Sequence, residues 1–529
     1  MRVFGNGGTA RVDNPAHASA AEFIQYGHLS PFEIDTRSSF YLPPTAGAIK
    51  GRTLNASKTA ARAFAIVHSA TFGTGRYFMH RFVRTLFSIA PVLFAMAYAL
   101  SMPMLAFAEP ASDCYVGSYR LEDGSDVDIA PSAEGTLRWR KFDGTTGALH
   151  RRGDGSWAST RGWTRQADGI IVTFGGCREG TLRFANLSGT RREFVVREIT
   201  FESHGTALAG RLVMPPGEGK VAIVVMIHGS EHDSALESYS LQRMLPAQGI
   251  GAFVYDKRGT GRSGGAYTQD YSLLADDAVA AVAAAKSLAG ARWKRIGFQG
   301  GSQGGWVAPL AASRTPVDFV IVCFGLAVNA IDEDQQSVEL QLSEKGYSRR
   351  EIDDALAVAK AVENVVASGF TRGFAELDRL RARYAGARWY KDLRGDYTYI
   401  FLQKSEAELR AMAPQFDWHT PWNYDPMPVL RSLHTPQLWI LGGEDYEAPS
   451  RETRKRLNAL IKNGGNYTIA YYPNAEHGMT LFEVDASGER TSLRYAPGYF
   501  QLIRDFSLHG TLTGAYGDAE LTRPLQAGR

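Results

Sequence analysis

The sequence predicts an α/β chain: a mostly parallel, doubly wound sheet with a helical insertion, preceded by a small all-β domain. Three observations predict it. Between about 199 and 515, continuous apolar runs alternate with helical periodicity, as a sheet covered on both faces requires. From 330 to 425 that alternation stops, and helical stripes that are apolar on one face take over. From 115 to 198, short alternating runs are separated by Asp-Gly dipeptides, the grammar of antiparallel strands and tight turns.

The chain has 529 residues, 44% hydrophobic and 21% charged, which is enough for several domains and a large core. Its 58 basic and 55 acidic side chains leave a net charge of +3. That balance offers no footprint for nucleic acid or an anionic membrane surface. Residues 85–108 carry no charged side chain; Arg81 and Arg84 precede them, and Ala106-Phe107-Ala108 closes them in small-x-small form. These are the three regions of a secretory signal, placed at 79–108. Export to the periplasm or the extracellular space is therefore expected, with no stable membrane insertion after cleavage before Glu109. An uncleaved N-terminal anchor is the alternative, and Pro91 and Pro103 weaken a straight spanning helix. Met79 sits where the signal's own start would be, so residues 1–78 are expected to be a mis-started or disordered leader.

The small β domain is placed at 109–198. Its runs include Thr136–Arg140, Ile170–Phe174, Thr181–Phe184 and Arg192–Val196, with turns at Asp123-Gly124, Asp143-Gly144, Asp154-Gly155 and Asp168-Gly169. Trp139, Trp157 and Trp163 are expected in sheet packing rather than against a ligand. Cys114 and Cys177 flank the domain and can pair in an oxidising compartment. The third cysteine, Cys323, lies in an apolar run and is expected to be a buried thiol. No Cys/His cluster has metal-ligand spacing, and no metal or cofactor is expected.

The α/β core is placed at 199–329 and 426–515, the helical insertion at 330–425, and a tail at 516–529. Val221–Ile227, Gly251–Tyr255, Arg295–Gln299, Phe319–Phe324, Gln437–Leu441 and Tyr467–Tyr471 read as its buried strands. Leu274, Ala278, Val282 and Ala285 recur at helical spacing between them. The insertion is too long for a strand-to-helix loop and reads as a cap over the carboxyl ends of the strands. Its stripe runs through Ile352, Leu356, Ala359, Val362 and Val366. Its aromatics, among them Trp389, Tyr397, Tyr399, Phe401, Phe416, Trp418 and Trp422, are expected chiefly in its core, with some free to line an acyl pocket.

The chemistry concentrates at Gly300-Gly301-Ser302-Gln303-Gly304, a G-x-S-x-G turn between an apolar strand and a helix-forming stretch. Such a turn exposes a serine hydroxyl in a strained backbone conformation, and its glycines avoid the neighbouring strand and helix. A serine nucleophile needs a base, and the base an orienting acid. In the chain order Ser, acid, His, the acid follows the next strand after the insertion, where Glu444-Asp445-Tyr446-Glu447 stands. Asp445 is the chosen acid, with Glu444 and Glu447 as neighbours. The histidine follows the last strand, at His477; His419, His434 and His509 fall elsewhere. Ser302 would attack an acyl carbonyl, His477 would move its proton, and Asp445 would hold the imidazole. The oxyanion would take backbone N–H donors from Gln303 and from Ser230 in His228-Gly229-Ser230, with Glu231 as the runner-up.

Two further stretches carry a resemblance. Tyr255-Asp256-Lys257-Arg258-Gly259-Thr260-Gly261-Arg262-Ser263 resembles the D-x-R-G-x-G-x-S loop of α/β-hydrolases. Gly205-Thr206-Ala207-Leu208-Ala209-Gly210-Arg211-Leu212 resembles the hairpin that precedes an H-G-S loop in bacterial secreted carboxylesterases and the prolyl-oligopeptidase-like, dienelactone-hydrolase-related branch. The resemblance covers about 199–510. It implies an α/β-hydrolase fold, and it implies structural loop roles for Asp256 and Arg258. The expected activity is hydrolysis of a small-molecule acyl ester through an acyl-enzyme. A serine peptidase or amidase of the same fold is the alternative within enzymes, and a catalytically dead hydrolase-fold binding protein is the alternative outside them. Export argues against an acyl-CoA thioesterase, and a serine at the turn argues against dehalogenase chemistry.

Overall fold

The computed structural model describes residues 112–525 except 133, 134, 417 and 487. The expected leader and signal segment lie outside the described residues. Among the described residues, no helix is long and apolar enough to cross a membrane.

The all-β expectation takes a specific form. Strands β1 (Gly117–Leu121), β2 (Asp126–Pro131), β3 (Leu137–Lys141) and β4 (Thr146–Arg151) each pair antiparallel with the next. So do β5 (Trp157–Thr160), β6 (Ala167–Phe174), β7 (Thr181–Phe184) and β8 (Leu187–Arg191). β1 then closes on β8 through Tyr119–Arg191 and Leu121–Gly189, so the sheet is a closed barrel. Closure leaves no unpaired strand edge. Val127, Ile129, Leu137, Trp139, Leu149 and Trp157 fill the interior, so two of the three tryptophans are packing residues. Trp163 instead stands edge-on to Tyr495 at 5.7 Å, between the barrel and the rest of the chain. A Cys114–Cys177 disulfide, with Cα atoms 5.5 Å apart, ties the start of the barrel to the β6–β7 loop.

The run Arg192–Val196 is not one strand of this domain. β8 ends at Arg191 and β9 (Val195–Ser203) begins at Val195, so the junction lies inside the run. Alternation persists across it because both neighbours are strands.

The larger sheet comprises β9, β10 (Thr206–Met214), β11 (Val221–Ile227), β12 (Gly251–Tyr255), β13 (Trp293–Gly301), β14 (Phe319–Cys323), β15 (Gln437–Gly442) and β16 (Tyr467–Tyr472). A separate hairpin, β17 (Thr480–Val484) and β18 (Arg490–Tyr495), follows β16. β19 (Glu520–Thr522) returns to the sheet edge, pairing Leu521 with Ala470. The segment expected as a tail from 516 thus contributes a strand. The order is β19-β16-β15-β14-β13-β11-β12-β10-β9. The pairs from β12 to β16 are parallel, and β9, β10 and β19 run antiparallel at the edges.

Helices α1 (Ala235–Ser238), α2 (Leu241–Ala247), α3 (Tyr271–Ala289) and α4 (Gly304–Ala312) connect the first strands. Asp270 starts α3 by accepting hydrogen bonds from the Ser272 and Leu273 N–H groups, a cap that satisfies otherwise orphaned donors. The insertion between β14 and β15 holds α5 (Ala330–Glu344), α6 (Arg349–Ala367), α7 (Phe374–Tyr384), α8 (Thr398–Leu402), α9 (Glu406–Met412) and α10 (Met427–Ser432). α11 (Ser450–Lys462) and α12 (Tyr499–His509) follow. Residues of α3, α4 and α11 pack on one face of the sheet, and those of α1, α2 and α12 on the other. β11 serves both: Ile223, Val225 and Ile227 face the first set, and Val224 and Met226 the second. Each such buried side chain contributes roughly 1.5–3 kcal/mol, a gain that a polar residue in this run would forfeit.

The insertion has its own core. Val338, Leu342, Ile352, Val362, Trp389 and Phe401 belong to it, as the helical stripe predicted. The barrel is bound to the rest by directional contacts. The Trp163 N–H donates to Ser492 O and the Tyr495 N–H to Gly144 O, each at 2.9 Å, which joins the barrel to β18. Arg243 of α2 reaches Asp128 of β2 at 2.7 Å.

Candidate active site

β13 ends at Gly301, α4 begins at Gly304, and Ser302 stands between them at φ +51°. A non-glycine residue there costs about 1–3 kcal/mol and persists only when its surroundings impose it. Here the Ser302 N–H donates to Cys323 O at 3.1 Å, and its carbonyl accepts from the Gly305 N–H at 2.7 Å. The flanking glycines are required. A Cβ on Gly300 would lie 2.2 Å from Gly304 O, and one on Gly304 would lie 2.8 Å from His228 O. Both obstacles are backbone and cannot step aside.

Asp445 follows β15, and His477 opens the turn after β16. They meet: His477 Nδ1 donates towards both carboxylate oxygens of Asp445, at 3.1 Å each. Asp445 is 1% and His477 6% exposed, so the pair is desolvated. Asp445 Oδ1 also accepts from the Ala448 N–H at 2.7 Å, which fixes the carboxylate in its loop. Glu444 turns away to Arg490 at 2.9 Å. Glu447 lies at the other imidazole nitrogen, 3.5 Å from Nε2. Among the three neighbouring acids, Asp445 alone therefore holds Nδ1. Phe324 links this pair to the serine turn: its ring meets the His477 ring edge-on at 4.8 Å, and a Cβ on Gly301 would touch it at 2.8 Å. The preceding residue, Glu476, accepts from Thr480 Oγ1 and Ser492 Oγ of the β17–β18 hairpin.

The electrostatics around His477 were not legible in the sequence. Asp396 before α8 and Glu447 act on Glu333 of α5, Glu447 acts on Asp396, and all three feel the charge of Asp445. Burial raises Glu447; burial, then Glu447 and Asp334, push Asp396 up to about 8; burial holds Glu333 well above the usual range. For His477 burial opposes charge, but Glu447 and Asp445 outweigh it and raise the imidazole to about 10. Among the described residues none of Glu333, Asp396 and Glu447 pairs with a lysine or arginine. The three come from separated segments, and two lie on an insertion whose charges read as a solvated face.

Gln303, 4% exposed, is the N-cap of α4, and its N–H makes no hydrogen bond among the described residues. The Ser230 N–H likewise makes none, whereas the Gly229 N–H donates to Glu231 Oε1 at 3.2 Å. The His228 ring is buried against Tyr255 O at 2.8 Å. Asp256 accepts from Ser234 Oγ, the Leu236 N–H and the Arg262 N–H, and Arg258 Nε donates to Asp277 at 2.7 Å. Cys323 is a free buried thiol, pushed up to about 12 by burial.

The insertion touches both sides of this strand edge. Trp418 O accepts from the Gln269 N–H at 2.7 Å, and its indole stands edge-on to Tyr267 at 5.7 Å. At the other side, Glu344 of α5 accepts from Arg490 at 3.1 Å and from the Tyr446 hydroxyl. Trp389, Tyr397 and Phe401 are buried in the insertion's core, and Tyr399 is 37% exposed.

Residues 219–345 match the family described as serine aminopeptidase, S33. Among solved structures, an esterase of Pyrococcus furiosus, Pf2001, is similar at 18% identity over 54% of this chain and 84% of that one, with a TM-score of 0.34. An acylaminoacyl peptidase of Pyrococcus horikoshii is similar at 15% identity over 74% of this chain and 58% of that one, with a TM-score of 0.37. No curated protein sequence matches the chain. With the strand order above, the matched segment makes the core an α/β-hydrolase fold.

Proposed function

We propose that this α/β-hydrolase core is a serine hydrolase that cleaves carboxylic esters through an acyl-enzyme. The observation that carries the reading is the buried His477–Asp445 hydrogen bond at 3.1 Å beside a serine turn at φ +51°. Ser302 Oγ forms the bond to the acyl carbon, and its proton passes to His477 Nε2. The carbonyl π pair moves onto oxygen, where the Gln303 and Ser230 N–H groups receive it. His477 then protonates the leaving alcohol, and water repeats the sequence to release the acid. Asp445 holds the tautomer and stabilises the imidazolium. The insertion acts as a cap over the site, supported by its contacts at Tyr267 and Arg490. A disulfide is at home in an oxidising compartment, which supports export through the 79–108 signal.

A second reading is a serine aminopeptidase or amidase, and one observation favours it. Glu447 lies 3.5 Å from the imidazole and Asp396 acts on it, neither with a lysine or arginine partner among the described residues, an environment suited to a substrate ammonium. The deciding experiment compares kcat/KM for p-nitrophenyl esters and aminoacyl anilides, with Ser302→Ala as the blank. Higher values for the esters support the leading reading; higher values for the anilides replace it with the second. Failure of wild-type protein to react with a fluorophosphonate at Ser302 would favour a dead scaffold instead.

A further inference from the structure

Lys257 is 3% exposed, an unusual place for an ammonium. It does not lie in the serine, aspartate and histidine set. Its Nζ donates to Gly229 O at 2.8 Å and stands 4.5 Å over the Tyr267 ring. Tyr267 in turn donates its hydroxyl to Ser230 O at 2.5 Å. Two consecutive carbonyls of the His228-Gly229-Ser230 loop are thus held by two side chains that touch each other.

The consequence follows from peptide geometry. The Gly229–Ser230 bond is trans, like every peptide bond described. In a trans peptide the C=O and the N–H point in opposite directions across a rigid plane. Fixing Gly229 O on Lys257 therefore fixes the direction of the Ser230 N–H. The next plane is held the same way, with Ser230 O on the Tyr267 hydroxyl, while the Gly229 N–H is taken up by Glu231 Oε1 at 3.2 Å. A cation on the carbonyl side also polarises the peptide and strengthens its N–H as a donor. The loop lies against the serine turn, since a Cβ on Gly229 would be 3.5 Å from Gly301 O.

We infer that Lys257 and Tyr267 are positioning residues of the oxyanion hole, which aim the Ser230 N–H by clamping the carbonyls of Gly229 and Ser230. This rests on the serine-hydrolase reading. It gives the D-x-R-G-x-G-x-S loop a task beyond the structural roles of Asp256 and Arg258: Lys257 is the residue between those two, and Tyr267 lies four positions after Ser263. Glu231 keeps the buried ammonium from standing alone, since its carboxylate acts on Lys257 and is hydrogen-bonded by the Tyr239 hydroxyl.

The test compares wild type, Lys257→Met and Tyr267→Phe on one p-nitrophenyl ester and one trifluoromethyl ketone. The ketone carbon accepts Ser302 Oγ, its oxygen becomes the oxyanion, and the proton goes to His477. Loss of one oxyanion donor typically lowers kcat by about 100- to 1000-fold, so misdirecting one is expected to lower it by about 10- to 100-fold. For Lys257→Met the expectation is that fall in kcat, KM within about twofold, and a ketone Ki weakened by the same factor. A general packing defect would not make Ki and kcat move together while sparing KM. If Lys257→Met does not fold, Tyr267→Phe carries the test: it keeps the ring over Lys257, removes only the hydroxyl, and should lose about 3- to 10-fold in kcat with a matching Ki. A variant with wild-type kcat and Ki overturns the inference while a reactive wild type leaves the hydrolase reading standing. A wild type that neither hydrolyses the ester nor binds the ketone covalently overturns both.

Discussion

Glu447 Oε2 lies 3.5 Å from Nε2 of His477, on the nitrogen opposite the one that Asp445 holds. The imidazole therefore sits between two carboxylates, and on the proposed mechanism the second occupies the side from which the Ser302 proton would arrive. This arrangement has a measurable signature in pH dependence.

His477 accepts a proton only when neutral. Burial disfavours its charged form, but Glu447 and Asp445 overcome that and raise it to about 10. Replacing Glu447 by Gln removes a negative charge, so the imidazolium loses stabilisation and its pKa falls. The acidic limb of kcat/KM is expected to move to lower pH, and activity at neutral pH to rise for an uncharged ester. A pH–rate profile of Glu447→Gln whose limb coincides with wild type would show that Glu447 does not act on the base.

Asp445→Asn is expected to lower kcat by about 10⁴-fold, because the amide favours the wrong imidazole tautomer. Glu444→Gln is expected to leave kcat within a few-fold, since Glu444 is engaged with Arg490. The two variants measured side by side with one ester separate the acid from its neighbour. Equal losses would remove Asp445 from that role.

Arg258 and Asp277 form a buried pair, 7% and 1% exposed, under the loop that carries Lys257. Asp277→Asn leaves the guanidinium buried without its counter-charge, and breaking such a pair costs about 3–5 kcal/mol. Urea denaturation should show the midpoint falling accordingly. An unchanged midpoint would mean that water or another carboxylate compensates Arg258.

The Cys114–Cys177 bond closes a sequence separation of 63 residues. Restricting an unfolded loop of that length stabilises the folded barrel by about 4 kcal/mol on the chain-entropy account. Cys177→Ser should lower Tm, and a reducing agent should lower the wild-type Tm towards the same value. Insensitivity to the reductant would indicate that the bond is not formed in the isolated protein.

The candidate site was largely legible because its members sit at strand ends. A strand leading into glycine, serine and glycine, then an acid after the next strand and a histidine after the last, follow a fixed order along the chain. Ser302, Asp445 and His477 could be named from that order alone, and they stand after β13, β15 and β16. Barrel closure was not legible, because alternation describes a strand's faces and not its partner. The β1–β8 pairing that closes the ring joins residues as far apart as Tyr119 and Arg191. Glu333 and Asp396 escaped notice for a related reason. On a helical insertion, a charged side chain that faces inward has the same spacing as one that faces water.

The barrel reaches the histidine by a short path. Trp163 holds Ser492 O; Ser492 Oγ holds Glu476; and Glu476 is the residue before His477. β17 starts three positions after that histidine. On the proposed mechanism, the barrel is thus a splint on the loop that carries the base rather than a cassette that can be removed or exchanged at will. A change in the barrel, such as a severed disulfide, therefore has a bonded route to the residue next to the imidazole.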